Sequence, residues 1–399
     1  MILLIWSSSA QAEDEWRAHE WGTFTTFHAP EGDMEYWYPI GKNEPGELPE
    51  FVGMNVFTKG GMMVNARMET PVIYFYTDRL RSVDVKATYV DGNITERYPW
   101  KSGVGSVGQW ENLLVYPPGE LGEDEITPPV GEAGVGEHYY HAREVPEAAM
   151  VLRASGREPQ AERFIFYRGA GPMKTDLRPV LREGGELMLS NHRDDEPATH
   201  LWAVMVDGDT VRWGKLPAVP ARDENDKAGV IEVNLSQLDE AVSENAVPSM
   251  RESFESALIS EGLTRKEAEA MVKTWSDSWF VEPGTRVFRV MPRKVVDAML
   301  PLEITPKPDV INRVFVHRME LLSPEARDVI LAALEDVELD HGKVREVAEL
   351  EFGRFRNAAL SSAALYRNQQ FANETQRRQQ LLQMAGTDLE SDLAEATAK

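Results

Sequence analysis

Two short stretches hold many of the side chains able to do chemistry. Residues 19–28 read HEWGTFTTFH and residues 136–144 read GEHYYHARE, and four of the eight histidines fall within them. His19 with His138 or His141 and a carboxylate such as Glu137 would make a two-histidine, one-acid donor set. Zinc or another divalent ion accepts that set, and a metal-bound water would then be the nucleophile of a hydrolase. Spacing limits how such a site is built. Side chains alternate along a strand, so His19, Trp21, Thr23, Thr25 and Phe27 share one face and Glu20, Gly22, Phe24, Thr26 and His28 the other. His19 and Glu20 then point apart unless a bulge forms at Gly22, and any site must borrow ligands from elsewhere. His138 and His141, three apart, share a side in a helix or turn and diverge in a strand.

Charged residues next to or inside apolar runs form a second class of candidates. Glu20 lies within the first stretch, Glu69 precedes PVIYFY, Arg168 ends FIFYRG and Arg286 opens TRVFRVM. Each is a candidate catalytic residue, with a buried ion pair as the competing role. The aromatic segments EYWYP (35–39) and TWSDSWF (274–280) offer flat faces for a sugar, or pack a core. Familiar signatures fail: H-E-x-x-H, G-x-S-x-G and S-x-x-K do not occur. Gly103 to Gly108 fits G-x-G-x-x-G, but QWENLLVY after it reads as strand, so no helix N-terminus follows to hold a pyrophosphate. The acidic run from Asp223 to Asp226 lacks the later ligands of a calcium loop.

The elements that must position these groups follow from periodicity. The first 235 residues carry short alternating runs punctuated by Gly, Pro and Asp, including SVDVKATYV and NITERYPW around Asp91-Gly92 and the pair of runs around Asp207-Gly208. Both dipeptides predict two-residue hairpins, and the region as a whole predicts an antiparallel sandwich. Acidic, Pro- and Gly-rich residues 117–136 form a long loop expected to be functional or mobile. After residue 236 the period becomes helical, with a capping box at Thr264 and Glu267, strands near 285–291 and 312–322, and a helix opened by Ser323-Pro324. The fold class is α+β: a leader remnant (1–12), a β-rich region (13–235), a helix-rich α+β region (236–358) and a polar tail (359–399).

Composition narrows the setting. With 42 basic against 66 acidic residues the formal charge is −24, which repels phosphate backbones and argues against nucleic-acid partners. Ile2 to Trp6 followed by Ala10-Gln11-Ala12 reads as the end of a secretory signal, which places the protein in the periplasm or outside the cell. No later run approaches the ~18 apolar residues that span a bilayer. There are no cysteines, so disulfides, thiolate metal sites and a cysteine nucleophile are all excluded.

The motifs HEWGTFT, METPVIYFY, HYYHARE, FIFYRG and WFVEPGTRVFRVMPR, with LPLEITPKP and RVFVHRMELL, resemble a group of uncharacterised exported bacterial proteins, from about residue 17 to about residue 330. That resemblance implies export and one integrated architecture, and leaves the mechanism open. Three readings stand on the residues. The first is an envelope protein that binds a glycan, a peptide or a protein partner through its loops and aromatic patches. The second is the divalent-metal hydrolase. The third is acid–base chemistry on a polysaccharide by paired carboxylates.

Overall fold

The computed structural model describes residues 15–39, 48–54, 63–100, 105–122, 126–132, 134, 136–156, 158–335 and 352–370. The expected leader, residues 101–104 of the glycine-rich stretch, part of the 117–136 loop, residues 336–351 and the tail beyond 370 lie outside the described residues. Strands and helices are numbered in chain order among the described residues.

HEWGTFTTFH is a strand, as its β-branched and aromatic content requires. It belongs to β1 (Trp16–His28), buried along nearly its whole length. One neighbour is β21 (Val310–Leu321), which runs parallel to it, and the other is the antiparallel β6 (Ala66–Thr77). These three form the middle of an eleven-stranded sheet. Beyond β21 come β19 (Gly284–Val290), β15 (Leu201–Asp207), β16 (Thr210–Leu216) and β18 (Asp239–Val242). Beyond β6 come β12 (Ile165–Gly171), β8 (Asn93–Tyr98) and β4 (Gly53–Met54), while β2 (Met34–Glu35) pairs with the end of β1. One sheet therefore crosses the 235/236 boundary.

Three layers result, and the class is α+β. One face of the large sheet is covered by α2 (Ser243–Ser260) and α3 (Arg265–Phe280), with Trp21, Tyr74, Phe254, Trp275, Trp279 and Phe288 in the core between them. The opposite face carries two smaller sheets. A five-stranded sheet packs on Phe24, Ile73, Phe75 and Phe315, in the order β11 (Gln160–Glu162), β10 (Met150–Arg153), β9 (Val107–Tyr116), β7 (Arg81–Thr88) and β20 (Leu302–Thr305). The three-stranded sheet of β13 (Leu177–Arg182), β14 (Glu186–Asn191) and β17 (Gly229–Asn234) packs on Ala203, Val287 and Met319. The expected sandwich is present, and it reaches into the C-terminal half.

Local expectations fare unevenly. The β15–β16 hairpin forms, with Asp207 opposite Thr210, so its two-residue loop is Gly208-Asp209, one position beyond the expected pair. Asp91-Gly92 makes a tight turn, but β7 and β8 do not pair: β7 joins the five-stranded sheet and β8 the large one. A turn reverses the chain without deciding whether the two arms stay in one layer. At Gly22 a bulge does form, with the extra residue on β6: two steps of β1, Trp21 to Thr23, face three of β6, Val72 to Glu69. Thr70 there takes φ +48°, and β1 keeps its alternation. Gly22 is required because a Cβ would meet Phe315 Cε1 at 2.7 Å and Pro71 at 3.1 Å. Gly22→Ala should cost on the order of 1–3 kcal/mol in urea unfolding by overpacking the centre of the sheet. An unchanged midpoint would show that β6 can shift freely.

Candidate functional site

His19 faces the helical layer and is fully engaged. Its Nδ1 lies 2.9 Å from a Glu267 carboxylate oxygen and its Nε2 3.3 Å from Asn312 Nδ2, so both ring nitrogens are used. Glu267 is the N3 residue of the capping box that starts α3: it accepts from the Thr264 backbone N–H at 2.6 Å, and Tyr76 donates to it at 2.8 Å. His138 lies in α1 (Glu137–Tyr140) and bonds to Asp277, near the other end of α3, at 3.0 Å. Glu267 and Asp277 are ten residues apart on one helix, or about 15 Å. The structure therefore does not bring His19 and His138 to one ion. His141 bonds to Glu144, itself held by Lys273 at 2.6 Å, and Glu137 accepts from the Gly134 N–H. Among the described residues no three His, Asp or Glu side chains converge as a metal shell.

Glu69, Arg168 and Arg286 are brought together in one polar row on that same face, between the helical core and a smaller apolar cluster around Phe27, Trp37 and Phe355. Thr25 donates to Glu69 at 2.6 Å and Arg354 at 2.7 Å, with Arg67 at 3.7 Å. Arg168 donates to Thr70. Arg354 leads to Glu282, which Arg318 holds at 2.8 Å, and Arg318 and Arg286 share Glu320. Burial would raise these carboxyls, but the arginines overcome it: Glu69 lies below its ordinary value, and Glu282 falls to about 2 under Arg318, Arg354 and Arg286. Both stay ionised at neutral pH, so the row is an ion lattice rather than a pair of proton carriers.

Glu20 points to the opposite face. Tyr167 donates its hydroxyl to one carboxylate oxygen, and Arg313 Nε donates to the other at 2.5 Å. Arg313 then reaches Asp297 at 2.7 Å, on α4 (Arg293–Met299), and Arg293 ties the same helix to the Ile311 carbonyl at 2.7 Å. The other face of α4, carrying Lys294, Val295, Ala298 and Met299, lines a cavity of about 610 Å³. The cavity is completed by Val90 and Asp91 at the β7–β8 turn, by Pro172, Met173 and Lys174 after β12, and by Arg193 after β14. It sits at the seam between the two smaller sheets. Glu20 thus acts as a positioning residue for a cavity wall.

A second polar row runs behind the cavity along this seam. Arg193 lies 3.6 Å from Asp176, which pairs with Arg289, and Arg289 stands opposite His317 in the β19–β21 register. Thr26 Oγ1 is 2.8 Å from both His317 Nε2 and His28 Nε2, and His28 Nδ1 faces the Gly32 carbonyl at 3.4 Å. These contacts assign the protons. His28 Nδ1–H donates to Gly32, Thr26 donates to His28 Nε2, and His317 Nε2–H donates to Thr26. His317 Nδ1 is then a buried acceptor without a hydrogen-bond partner among the described residues.

Of the two roles open to the aromatic segments, core packing is the one observed: Trp37, Trp275 and Trp279 are at most 2% exposed. The described part of the acidic loop is pinned to α1 and the turn after it, with Arg143 on the Pro128 carbonyl at 2.9 Å and the Gly131 N–H on Tyr140 at 3.0 Å. Sequence reasoning missed Arg313, Asp297 and the cavity residues Lys174, Arg193 and Lys294. Their role comes from a seam between sheets, and no local pattern marks it. No helix among the described residues is long and apolar enough to cross a membrane.

No family model and no curated protein matches the chain. Among solved structures, the Fcho1 mu homology domain from Danio rerio with bound Eps15 peptide aligns with 77% of this chain and 97% of that domain. The identity is 6% and the TM-score 0.26, too loose to define a shared fold.

Two outcomes follow. Glu20→Gln should cost on the order of 3–5 kcal/mol in denaturant unfolding, because it leaves buried Arg313 under-compensated. Asp297→Asn, at a half-exposed site, should cost about 1 kcal/mol or less; equal losses would contradict the positioning role. Burial lowers His28 from 6.5 to about 4, and burial followed by Arg289 and His28 puts His317 well below its ordinary value. The unfolded chain therefore binds more protons than the folded one between about pH 6.5 and pH 4, and stability falls as pH drops through that window. His28 alone supplies on the order of 3 kcal/mol of that loss. His28→Asn should flatten the slope of unfolding free energy against pH there.

Proposed function

We propose that the protein is an exported envelope protein that binds a small amphipathic molecule in the seam cavity. The observation that carries this reading is the lining. Val90, Pro172, Met173, Val295, Ala298 and Met299 supply an apolar body, while Lys174, Arg193 and Lys294 stand among them against Asp91. A volume of about 610 Å³ suits a small organic ligand. Arg193 and Lys294 are braced through Asp195, at 2.6 and 3.3 Å, whereas Lys174 makes no ion pair with any described residue. In a chain of net charge −24, this set selects a ligand with an apolar chain or ring and an acidic head group. Export rests on the leader pattern at Ile2 to Trp6 and Ala10 to Ala12.

The test is displacement of the apolar anion anilinonaphthalene sulfonate by octanoate and dodecanoate, followed by fluorescence. Dodecanoate should displace it more strongly than octanoate, and dodecanol should be weaker than dodecanoate. Ala298→Trp, on the exposed side of α4, should fill the cavity and abolish displacement without moving thermal unfolding, and Lys174→Glu should weaken dodecanoate about tenfold, the equivalent of ~1.4 kcal/mol. Undiminished dodecanoate binding in Ala298→Trp would remove the cavity from consideration.

A further inference from the structure

A groove of about 480 Å³ opens on the helical face, where α2 crosses the edge of the large sheet. Its sheet wall is Trp213 and Lys215 of β16 with Asp239 of β18, which stands opposite Trp213 in register. Its helix wall is Ser249, Glu252, Ser253 and Ser256, at i, i+3, i+4 and i+7 on one stripe of α2. The core-facing stripe of the same helix carries Met250, Phe254 and Leu258. The serine stripe beside it carries little bulk, and the half-buried Trp213 indole lines the open space between helix and strand.

The groups around that indole have bonding capacity to spare. Trp202 donates its indole N–H to Ser253 at 2.9 Å, which leaves the Ser253 hydroxyl proton to donate. The neighbouring Arg212 is paired with Glu240, but Lys215, Asp239 and Glu252 make no ion pair with any described residue. An occupant that uses all of these presents a flat C–H face to the indole and several hydroxyls to the carboxylates, the lysine and the serines. It carries no negative charge, because two carboxylates would repel it, and it is too polar for the apolar seam cavity. We infer that this groove is a binding site for a neutral pyranose oligosaccharide. Trp213 would be the stacking platform, and Asp239, Glu252 and Lys215 the hydroxyl-reading groups. It is independent of the amphipathic site, which lies on the other face of the sheet.

Calorimetric titration of the full chain with maltohexaose, cellohexaose and chitohexaose tests this. At least one should bind, and Trp213→Ala should weaken that binding about tenfold or more, while Trp213→Phe, which keeps a ring, should fall between. Ser256→Trp, at an exposed helix position, should fill the groove and block binding with unchanged thermal unfolding; it decides the matter if Trp213→Ala does not fold. Ala298→Trp should leave saccharide binding untouched, which separates this site from the seam cavity. No heat from any of the three oligosaccharides with the wild-type chain, or equal binding in Ser256→Trp, would overturn the assignment. So would binding of a random hexapeptide mixture in their place.

Discussion

A strand buried on both faces can carry polar side chains only if a partner is delivered to it on each side, since an uncompensated buried polar group costs several kcal/mol. β1 meets this condition with two adjacent residues. His19 is met from the helical side by Glu267, and Glu20 from the other side by Arg313. Each partner is also a structural anchor. Glu267 caps α3, and Arg313 holds Asp297 on α4. One dipeptide in the central strand thereby fixes where two helices sit, one in each outer layer. This is why removing one member should act at a distance from the sheet.

The same logic specifies register. A one-residue slip of β1 would turn Glu20 towards Glu267 and His19 towards Arg313, exchanging two matched pairs for a carboxylate pair and a cation against an imidazole. Apolar strands tolerate such slips far better, because either face can bury Val or Phe. Further along β1 the pattern repeats: Thr25 belongs to the Glu69 row on one side and Thr26 to the His28 and His317 row on the other. Buried ion pairs are weak evidence for stability in themselves. Here they divide each face into separate apolar cores, and so act as addresses for the elements that must dock there.

Much of this was legible along the chain where the cause is local. The alternation of HEWGTFTTFH, the Thr264–Glu267 capping box, the hairpin around Gly208 and the room for a bulge at Gly22 each depend on a few consecutive residues. Glu69, Arg168 and Arg286 also stood out, as charges beside apolar strands, and they share one row. What stayed hidden depends on long-range pairing. His19 meets a residue 248 positions away and Glu20 one 293 positions away, and no spacing rule connects them. Asp91-Gly92 misleads for the same reason, since the turn is local while the choice of sheet for each arm is not. The tryptophans of TWSDSWF fill the helical core because α3 presents them inward, which its sequence shares with many amphipathic helices.

The cavity follows from the polar row behind it. Two sheets of five and three strands cover one face of an eleven-stranded sheet, and their apolar cores could merge only if nothing polar lay between them. Arg193, Asp176, Arg289, His317 and Thr26 lie along that line, and they must keep one another company rather than a hydrocarbon surface. The smaller sheets therefore do not close over the seam, and α4, clamped from behind through Arg313, forms a wall across its mouth. A space with apolar sides, a polar floor and cations in its lining is what such a junction produces. The residues that make the fold specific are thus the same ones that leave a ligand-sized opening in it.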